Sequence, residues 1–422
     1  MKLLEAKGDR GKRRVEQLLR SLDRRGAASL AGVRPQVERI VGDVRKNGDR
    51  ALLRYRRKFD AAGPEMPMRV PVKTLQRAWE EISPALRHAL KLAAENIRGF
   101  AERQMPLDWD LQPVAGVTTG QRVRPLDAVG CYVPSGRHPL PSSLLMTVIP
   151  AQVAGVRRIV VVSPGMAPET LAAAAMLGIE HFFHVGGAHA IAALAYGTES
   201  IERVDKIAGP GNLYVTAAKK LVAFDCSIDM LAGPTEVVVA SESGEPEGIA
   251  LDLIAQAEHD VETLAVLVTA QSRLAKQVLN QVKRRGRDNA VARQALAHHG
   301  YVIVTDTIAE ARTIVNRLAA EHLTVDSEAD LDWVRHAGSV FVGRWSAQAL
   351  GDYISGPNHT LPTGGLARVR GGLSVLDCVR LTTVQRYSAE GVRTLGPAAA
   401  TLAEAEGLTG HAASIRARMD HG

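Results

Sequence analysis

The stretch Arg157–Gly187, RRIVVVSPGMAPETLAAAAMLGIEHFFHVGG, decides the fold class of this 422-residue chain. It opens with a continuous apolar run that ends in a glycine turn, passes through the helix-forming run PETLAAAAMLG and returns to a second apolar run, HFFHVGG. Short apolar strands that alternate with helices of this length indicate βαβ units on a parallel sheet. The alternation continues into AHAIAALAYG and KIAGPGN.

A second series of the same kind begins after Asp229. Its strand-like and helical runs are EVVVAS, the helix through QAEH, LAVLVTA, a long basic helix, YVIVTD, IAEARTIVNRLA, EHLTV and SVFVG. We therefore predict an α/β fold of two packed Rossmann-like parallel-sheet units. A ligand cleft is expected between them at the strand ends, where open α/β sheets bind ligands.

The remaining segments are assigned from their periodicity. Apolar residues three to four apart in SPALRHALKLAAENIRGFAERQ predict helices before the first sheet, and an extended segment follows from Met105 to about Arg124. The predicted segments are a helical arm (1–24), a helical part of the first α/β domain (25–128), a Rossmann-like domain (129–234), the continuation of the first domain with most polar motifs (235–376) and a mainly helical tail (377–422).

The composition is that of a folded globular protein, with 46% hydrophobic and 23% charged residues. The net charge of +7 would suit nucleic acid, an anionic membrane surface or a phosphorylated ligand. Nucleic acid is disfavoured, because aromatic residues make up only 4% and the basic residues are scattered apart from the amino-terminal arm and Lys283–Arg287. No run approaches the roughly 20 apolar residues that a membrane span needs.

The three cysteines, Cys131, Cys226 and Cys378, are far apart and form no CxxC pair. Neither a disulfide framework nor a thiolate zinc site is indicated, and a reducing compartment fits best. We predict a cytoplasmic protein.

Three glycine-rich turns follow strands within the first unit, although no GxGxxG motif occurs in the chain. They are Ser163–Gly165, Val185–Ala190 and Ala208–Asn212. Each brings backbone N–H groups and a helix amino terminus together, which is what pyrophosphate binding requires. The alternative for any one of them is that a tight βα turn simply needs glycine.

The pentapeptide QAEHD, Gln256–Asp260, ends an otherwise apolar helix. On a helical wheel Gln256 falls in the apolar stripe and His259 lies roughly 60° from it, whereas Glu258 lies about 160° away. Gln256 and His259 could therefore share a ligand that Glu258 cannot reach. A hydrogen-bonded glutamine and a histidine near the helix dipole are the alternative.

Three more polar groups interrupt apolar surroundings. Glu321 and His322 stand side by side where a helix gives way to a strand. The loop GDYISGPNHTLPTGG carries Asp352, Asn358 and His359, and long polar loops of this kind are more often functional than structural. EAEGLTGH places Glu406 and His411 five residues apart, and from this motif alone a solvated tail is the favoured explanation.

In this order the motifs resemble those of histidinol dehydrogenases over nearly the whole chain. The segments that carry the resemblance are RPLDAVGCYVP, PLPSSLLMTVIPAQVAG, VGGAHAIAALAYGTES, VDKIAGPGNLYVTAAKK, IDMLAGPTEV, QAEHD, EHL, GPNHTLPTGG and EGLTGH. The resemblance implies an aldehyde-dehydrogenase-like architecture and an NAD-dependent four-electron oxidation of L-histidinol to L-histidine. It also implies one zinc ion per subunit and a homodimer in which the tail of one subunit reaches the other's site.

The resemblance also implies roles for individual positions. Zinc would be held by Gln256, His259, Asp352 and His411, which are amide, imidazole and carboxylate donors that zinc accepts. His322 would take the protons released around hydride transfer, and Glu321 would activate the water. The positions implied for the substrate are Thr235, Gln256, His259, His322, Asp352, His359, Glu406 and His411, and those implied for NAD are Tyr132, His189 and Asn212.

The sequence departs from the family pattern at three positions. His189 stands where VGGAQA is expected, Ser135 where a second glycine is usual, and Thr235 where serine is usual. An imidazole lacks the paired donor and acceptor of an amide, so NAD affinity or its pH dependence could differ. Neither of the other two changes removes a functional group that the chemistry needs.

Three other functions compete with this interpretation. A dehydrogenase of another small alcohol on the same scaffold is opposed by Glu406, His359 and His411, whose family counterparts contact the amine and imidazole of histidinol. A zinc hydrolase could use the metal residues but would have no use for the glycine turns. A nucleic-acid-binding protein would need the basic residues to cluster on one element.

Overall fold

The computed structural model describes residues 1–23, 25, 30–60, 63, 65–135 and 139–420, and its fold is α/β as predicted. The strands are β1 (Lys2–Glu5), β2 (Trp109–Val114), β3 (Val117–Pro125), β4 (Ala128–Tyr132), β5 (Arg158–Ser163), β6 (His181–His184), β7 (Lys206–Ala208), β8 (Ser227–Ile228), β9 (Glu236–Ala240), β10 (Leu264–Thr269), β11 (Gly300–Val304), β12 (His322–Val325), β13 (Ser339–Val342) and β14 (Val379–Tyr387). The helices are α1 (Gly8–Leu22), α2 (Arg34–Phe59), α3 (Val72–Glu81), α4 (Pro84–Arg103), α5 (Pro141–Ala154), α6 (Pro168–Met176), α7 (Gly187–Tyr196), α8 (Leu213–Val222), α9 (Pro246–Ala257), α10 (Ser272–Arg285), α11 (Ala290–His299), α12 (Ile308–Leu318), α13 (Gln348–Tyr353), α14 (Ala389–Ala405) and α15 (Thr409–Asp420). None of the helices in these ranges is long and apolar enough to cross a membrane.

Two parallel sheets have the same internal strand order. The five-stranded sheet runs β6-β5-β4-β7-β8, and the six-stranded sheet runs β1-β11-β10-β9-β12-β13. With the added edge strand β1 left out of the six-stranded sheet, both read 3-2-1-4-5 in chain order, the order of a doubly wound sheet whose direction reverses between its first and fourth strands. The opening stretch of sequence forms β5, α6 and β6 of the five-stranded sheet. The prediction of two Rossmann-like units is confirmed.

The amino-terminal segment differs from the predicted helical arm, because its first residues form a strand. Strand β1 pairs in parallel with β11 and becomes the edge of the six-stranded sheet. Helix α1 then packs Val15 and Leu19 on the face of that sheet also covered by α12. Burial of these side chains and the β1 ladder therefore attach the arm to the body of its own chain.

The helices of residues 34–103 pack differently from the predicted grouping, which joined them to residues 235–376. Apolar side chains of α2 pack with α7 and α8 on one face of the five-stranded sheet. Those of α3 and α4 pack with α5 and α6 on its other face. Periodicity marks which face of a helix is apolar but does not tell which sheet that face covers.

A third, antiparallel sheet with order β14-β3-β2 was not predicted, and the tail is correspondingly less helical than expected. Strand β14 pairs along its whole length with β3, from Val379 opposite Pro125 to Tyr387 opposite Val117. Its side chains are mostly exposed, so it lacks the apolar run by which a buried strand is recognised. The sheet carries the lobe formed by α14 and α15.

The two parallel sheets meet by opposite edges. The loop after α13 binds both: Asn358 donates from Nδ2 to the carbonyl oxygen of Met146 at 2.6 Å, and the Gly364 N–H donates to Glu236 at 2.8 Å. Met146 lies in the first turns of α5, which follows the carboxyl end of β4, whereas Glu236 begins β9. The expected cleft at the strand ends is therefore built from the carboxyl edge of one sheet and the amino edge of the other.

A buried ion pair closes the carboxyl edge of the five-stranded sheet. The Lys219 ammonium contacts the Asp229 carboxylate, and both side chains are almost fully buried. Asp229 accepts the Gly209 N–H at 2.8 Å, and Lys219 donates to the Gly209 carbonyl oxygen at 2.8 Å. Gly209 has φ +117°, and a Cβ there would lie 2.1 Å from the carbonyl oxygen of Tyr132. Only glycine fits this close approach.

We expect Lys219→Met to lower the free energy of unfolding by about 3 kcal/mol, because it leaves the Asp229 carboxylate buried without its cation. Urea unfolding followed by circular dichroism measures this loss. Lys220→Met, at the exposed neighbouring position, is the control and should change stability by less than about 0.5 kcal/mol. Equal effects of the two substitutions would contradict the role given to the pair.

Candidate active site

The Glu321–His322 pair stands at the start of β12, immediately after a sharp turn. Helix α12 ends at Leu318, and Ala319 has φ 45°, the left-handed region that alanine rarely adopts. Among the described residues it is the non-glycine position with positive φ. The turn directs the chain from the helix into the strand, and it buries both Glu321 and His322.

The carboxylate of Glu321 has two donors from the neighbouring strand. Its Oε2 accepts the Thr235 hydroxyl at 2.5 Å and the Glu236 N–H at 2.8 Å. The Thr235 oxygen in turn accepts a hydrogen bond from Nε2 of Gln256 at 2.5 Å. Because Gln256 donates through its nitrogen, its Oε1 is the atom left to accept or to bind a cation.

The imidazole of His322 lies between two carboxylates. Its Nδ1 is 3.2 Å from the Glu236 carbonyl oxygen and 3.7 Å from Glu321 Oε2, and its Nε2 is 3.4 Å from Asp352 Oδ1. Burial acts to lower the pKa of His322, but Glu321 and then Asp352 outweigh it and raise the pKa to about 10. The two carboxylates therefore favour the protonated form of this ring.

Three histidines lie around Asp352, which is in α13. Burial alone would raise the pKa of Asp352, but His322, and after it His359 and His259, lower the pKa below the usual value. His359 lies 2.7 Å by Nδ1 from the Asp352 carbonyl oxygen and 3.3 Å by Nε2 from Ser143 Oγ. Its Nδ1 must therefore carry the proton, since a carbonyl oxygen only accepts.

The side chains predicted to hold a metal are partly gathered in this chain. His259 keeps Nδ1 3.2 Å from the carbonyl oxygens of Ala255 and Gln256, which fixes the proton on Nδ1 and leaves the lone pair of Nε2 for a ligand. With Gln256 Oε1 and the Asp352 carboxylate, this makes a set of nitrogen and oxygen donors that suits zinc. Among the described residues, no group of three or more His, Cys, Asp or Glu side chains is arranged to hold a metal ion.

The two tail residues of the predicted site lie elsewhere. His411 is in the first turn of α15 and Glu406 caps α14, and both are exposed. Within the described part of the chain no side-chain hydrogen bond or ion pair joins either of them to Gln256, His259 or Asp352. The structure of one chain thus assembles Thr235, Gln256, His259, Glu321, His322, Asp352 and His359 and leaves Glu406 and His411 apart.

Two of the three residues predicted to contact NAD lie at the point where strand order reverses. Tyr132 ends β4 and Asn212 caps α8 just beyond β7, and these two strands are adjacent. Asn212 is exposed, and its Oδ1 accepts the N–H groups of Tyr214 and Val215. The Tyr132 hydroxyl accepts the Gly187 N–H at 3.2 Å. Burial raises the pKa of Tyr132 to about 12.

His189 is placed differently from the expectation that it faces the cofactor. Its side chain is 1% exposed, and its Nε2 lies 2.9 Å from Asp60 Oδ2. The same oxygen accepts the Gly186 N–H at 3.0 Å, at the start of α7. The histidine that stands here in place of glutamine therefore binds the same Asp60 carboxylate that holds the glycine turn. Sequence alone could not supply the partner, because Asp60 lies 129 residues away.

Fold and site together define a two-sheet α/β enzyme with a buried Glu–His pair on one sheet and a Rossmann-like switch point on the other. Residues 23–419 match the family profile described as histidinol dehydrogenase. The histidinol dehydrogenase of Geobacillus kaustophilus is 46% identical over 397 residues, covering 91% of this chain and 93% of that protein. That of Methanothermobacter thermautotrophicus is 45% identical over 420 residues, covering 96% and 97%.

A solved structure agrees with these sequences. The crystal structure of histidinol dehydrogenase from Elizabethkingia anophelis superposes with a TM-score of 0.93 at 34% identity, covering 100% of this chain and 98% of that one. The chain therefore belongs to the histidinol dehydrogenase family, and the enzyme is an oxidoreductase.

One ionisable residue near the site was missed by the sequence analysis. Asp252 is four residues before Gln256 on α9, so the two share one helix face, and His259 follows just beyond the end of that helix. Among the described residues no hydrogen bond or ion pair reaches its carboxylate, and burial raises the pKa of Asp252 to about 6. Its spacing was visible in the sequence, but its burial was not.

We expect Asp252→Asn to stabilise the protein at pH 8 by about 1 kcal/mol and to have little effect at pH 4. The folded pKa lies above the unfolded value of about 3.9, so ionisation penalises the folded state increasingly as pH rises from about 4 through 6. The magnitude is reduced because the group is partly solvated. Urea midpoints at both pH values measure it. Asp288→Asn, an exposed position, is the control, and the same pH dependence there would contradict the explanation.

Proposed function

We propose that the protein is a zinc-dependent, NAD-linked histidinol dehydrogenase that oxidises L-histidinol to L-histidine through the aldehyde, in the last step of histidine biosynthesis. The observation that carries the proposal is the buried Glu321–His322 pair, hydrogen-bonded through Thr235 to Gln256 and facing Asp352. A base and a carboxylate at one point are what two successive oxidations with an intervening hydration require. We infer a cytoplasmic location from the reduced cysteines alone, all of which are buried.

His322 is the base for the alcohol. Each oxidation removes a hydride and a proton from the substrate carbon and its oxygen, and the imidazole Nε2 side faces the cleft residue Asp352. The Nδ1 side is held by the Glu236 carbonyl oxygen, which fixes the ring and its tautomer. In its neutral form, with the proton on Nδ1, the ring can take the hydroxyl proton as the hydride leaves for the nicotinamide.

Glu321 is the base for water. After the first oxidation, water adds to the aldehyde carbon and loses a proton, and the resulting hydrate gives up the second hydride. The balance is one alcohol, one water and two oxidised cofactors converted to one carboxylate, two reduced cofactors and three protons. The Glu321 carboxylate is kept in position by Thr235 and the Glu236 N–H, and its remaining oxygen can accept the proton from water.

Zinc would be held by Gln256, His259, Asp352 and a tail histidine, and when bound it would anchor and orient the imidazole and amine of the substrate. NAD would accept the hydrides at the switch point of the five-stranded sheet, near Tyr132 and Asn212. The backbone N–H groups of the glycine turns there suit its pyrophosphate. His359, Thr235 and Glu406 would complete the substrate pocket.

A homodimer would bring the missing tail residues to the site. Glu406 and His411 lie on an exposed lobe whose supporting sheet also exposes large apolar side chains, among them Trp109, Leu111 and Leu381. We therefore infer that the tail of one copy supplies its histidine and glutamate to the site of the other. No contact with nucleic acid or membrane is needed for this activity.

The reaction is tested by mixing the purified protein with limiting L-histidinol and excess NAD and following NADH absorbance. We expect two NADH per histidinol, because both oxidations occur before release. Chelation should abolish turnover and zinc should restore it, with bound metal measured independently by atomic emission. One NADH per alcohol, or turnover only with a different alcohol, would contradict the proposed reaction.

We expect His322→Asn to lower kcat by about 10²–10⁴-fold, because general-base catalysis contributes that much. Zinc content should stay near the wild-type value, since His322 is not a proposed ligand. His88→Asn, on the exposed face of α4, serves as the control. A near-normal kcat for His322→Asn would remove His322 from the base role.

A further inference from the structure

Glu236 is a buried carboxylate to which the proposed reaction assigns no task. It begins β9, directly after Thr235, and is 2% exposed. Its two oxygens bind Arg25 in a fork, with Nε to Oε1 at 2.5 Å and Nη2 to Oε2 at 2.9 Å, and Oε1 also accepts the Gly364 N–H at 2.8 Å. Burial raises the pKa of Glu236, and Arg25 opposes the rise. The arginine thus compensates a charge that burial disfavours.

The peptide groups of Glu236 contact both catalytic side chains. Its N–H donates to Glu321 Oε2 at 2.8 Å, and its carbonyl oxygen is 3.2 Å from His322 Nδ1. The orientation of this one residue therefore decides where the Glu321 carboxylate and the His322 ring are held.

Arg25 also binds the segment that leads into the catalytic pair. Its Nη2 donates to the carbonyl oxygen of Leu318 at 2.7 Å, and Nη1 donates to that of Leu22 at 2.8 Å. Leu318 is the last residue of α12, three residues before Glu321. One guanidinium thus bridges the start of β9, the end of α12 and the end of α1, with its donors fixed by the planar fork geometry.

We propose that Arg25 is a positioning residue for the reaction: by clamping Glu236 to Leu318, it sets the two segments that carry Thr235, Glu321 and His322 relative to each other. The assignment of this role in the reaction rests on the proposed function. The guanidinium lies behind the strand and touches none of these three side chains, so it acts through the Glu236 peptide and the turn at Ala319. It also makes the amino-terminal segment part of the active-site support.

The proposal is tested on the full-length, metal-loaded enzyme with Arg25→Met. We expect kcat to fall about 10²-fold, the cost of a misplacement near 1 Å, with the KM for NAD unchanged. The kcat of Arg25→Lys should lie between those of the wild type and Arg25→Met, since an ammonium cannot satisfy both Glu236 oxygens. The matched control is Arg317→Met, which breaks another arm-to-body contact, to Glu16 and Asp23, without touching β9. Its kcat should stay within about twofold of wild type.

A purely structural role makes a different prediction for the double variant Arg25→Met, Glu236→Gln. This variant leaves no buried charge unpaired, so its melting temperature should recover relative to Arg25→Met. If the pair positions the site, kcat stays low despite the recovery. If kcat recovers together with the melting temperature, or if Arg25→Met alone keeps a wild-type kcat, the proposal is overturned.

Crystal structures of the wild type and of Arg25→Met separate this proposal from the proposed function. We expect the Glu321 carboxylate to leave the Glu236 N–H in the variant, and an unmoved carboxylate would overturn the positioning role whatever the substrate. Wild-type protein that forms no NADH from histidinol would instead overturn the proposed function, and the structural comparison would still decide the role of Arg25.

Discussion

The buried carboxylate of Glu321 is the group on which the rest of the site depends. A carboxylate that is 7% exposed needs donors, because water cannot solvate it. The amino end of β9 supplies one as the Glu236 N–H and a second as the Thr235 hydroxyl. Once that hydroxyl donates to Glu321, its oxygen must accept from elsewhere, and the Gln256 amide does so. The direction of every bond in this chain is therefore set by one negative charge.

The position of that charge follows from how the two sheets meet. Both sheets have the order of a doubly wound fold, and such sheets ordinarily bind ligands at their carboxyl edges. Here only the five-stranded sheet offers that edge, with the glycine turns and Asn212. The six-stranded sheet presents its amino edge, where the first peptide N–H of a strand is free of the ladder and can hold a carboxylate. The turns that suit an anionic cofactor therefore belong to the edge of one sheet. The carboxylate that accepts protons belongs to the edge of the other sheet, so the two groups do not occupy the same edge.

Much of the fold was predictable because the evidence for it is local. Strands such as EVVVAS and LAVLVTA are buried on both faces, so each reads as a continuous apolar run. Strand β14 could not be found in this way, since its exposed side chains leave no apolar pattern. The assignment of α2, α3 and α4 to a sheet was wrong for a related reason. The sequence of an amphipathic helix shows that its apolar face must be buried, but the tertiary fold determines which sheet buries that face.

The candidate site shows the same division between local and long-range information. The wheel placed Gln256 and His259 on one face of α9 and turned Glu258 away, and the structure agrees, with Glu258 bound instead to Asn289. Partners across the fold were not visible. Asp60, which binds His189, is 129 residues from it in the sequence, and Arg25, which binds Glu236, is 211 residues from it. No spacing rule joins residues at such separations. The resemblance could name residues that contact ligands, but it did not extend to the groups that hold those residues in place.

The residues of the proposed site fall into two groups with different tasks, and the two groups lie in different parts of the chain. Glu321 and His322, which would accept protons, and Thr235, which holds Glu321, lie at the starts of two adjacent strands of one sheet and are fixed by hydrogen bonds within a single copy. Glu406 and His411, which would contact the substrate or its metal, lie on a lobe carried by a separate antiparallel sheet. Under the proposed function, association of two copies would thus complete ligand binding, whereas the geometry of proton transfer is already present in each copy. The buried Arg25–Glu236 pair belongs with the proton-transfer residues, because it lies wholly within one chain and contacts the segments that carry the bases.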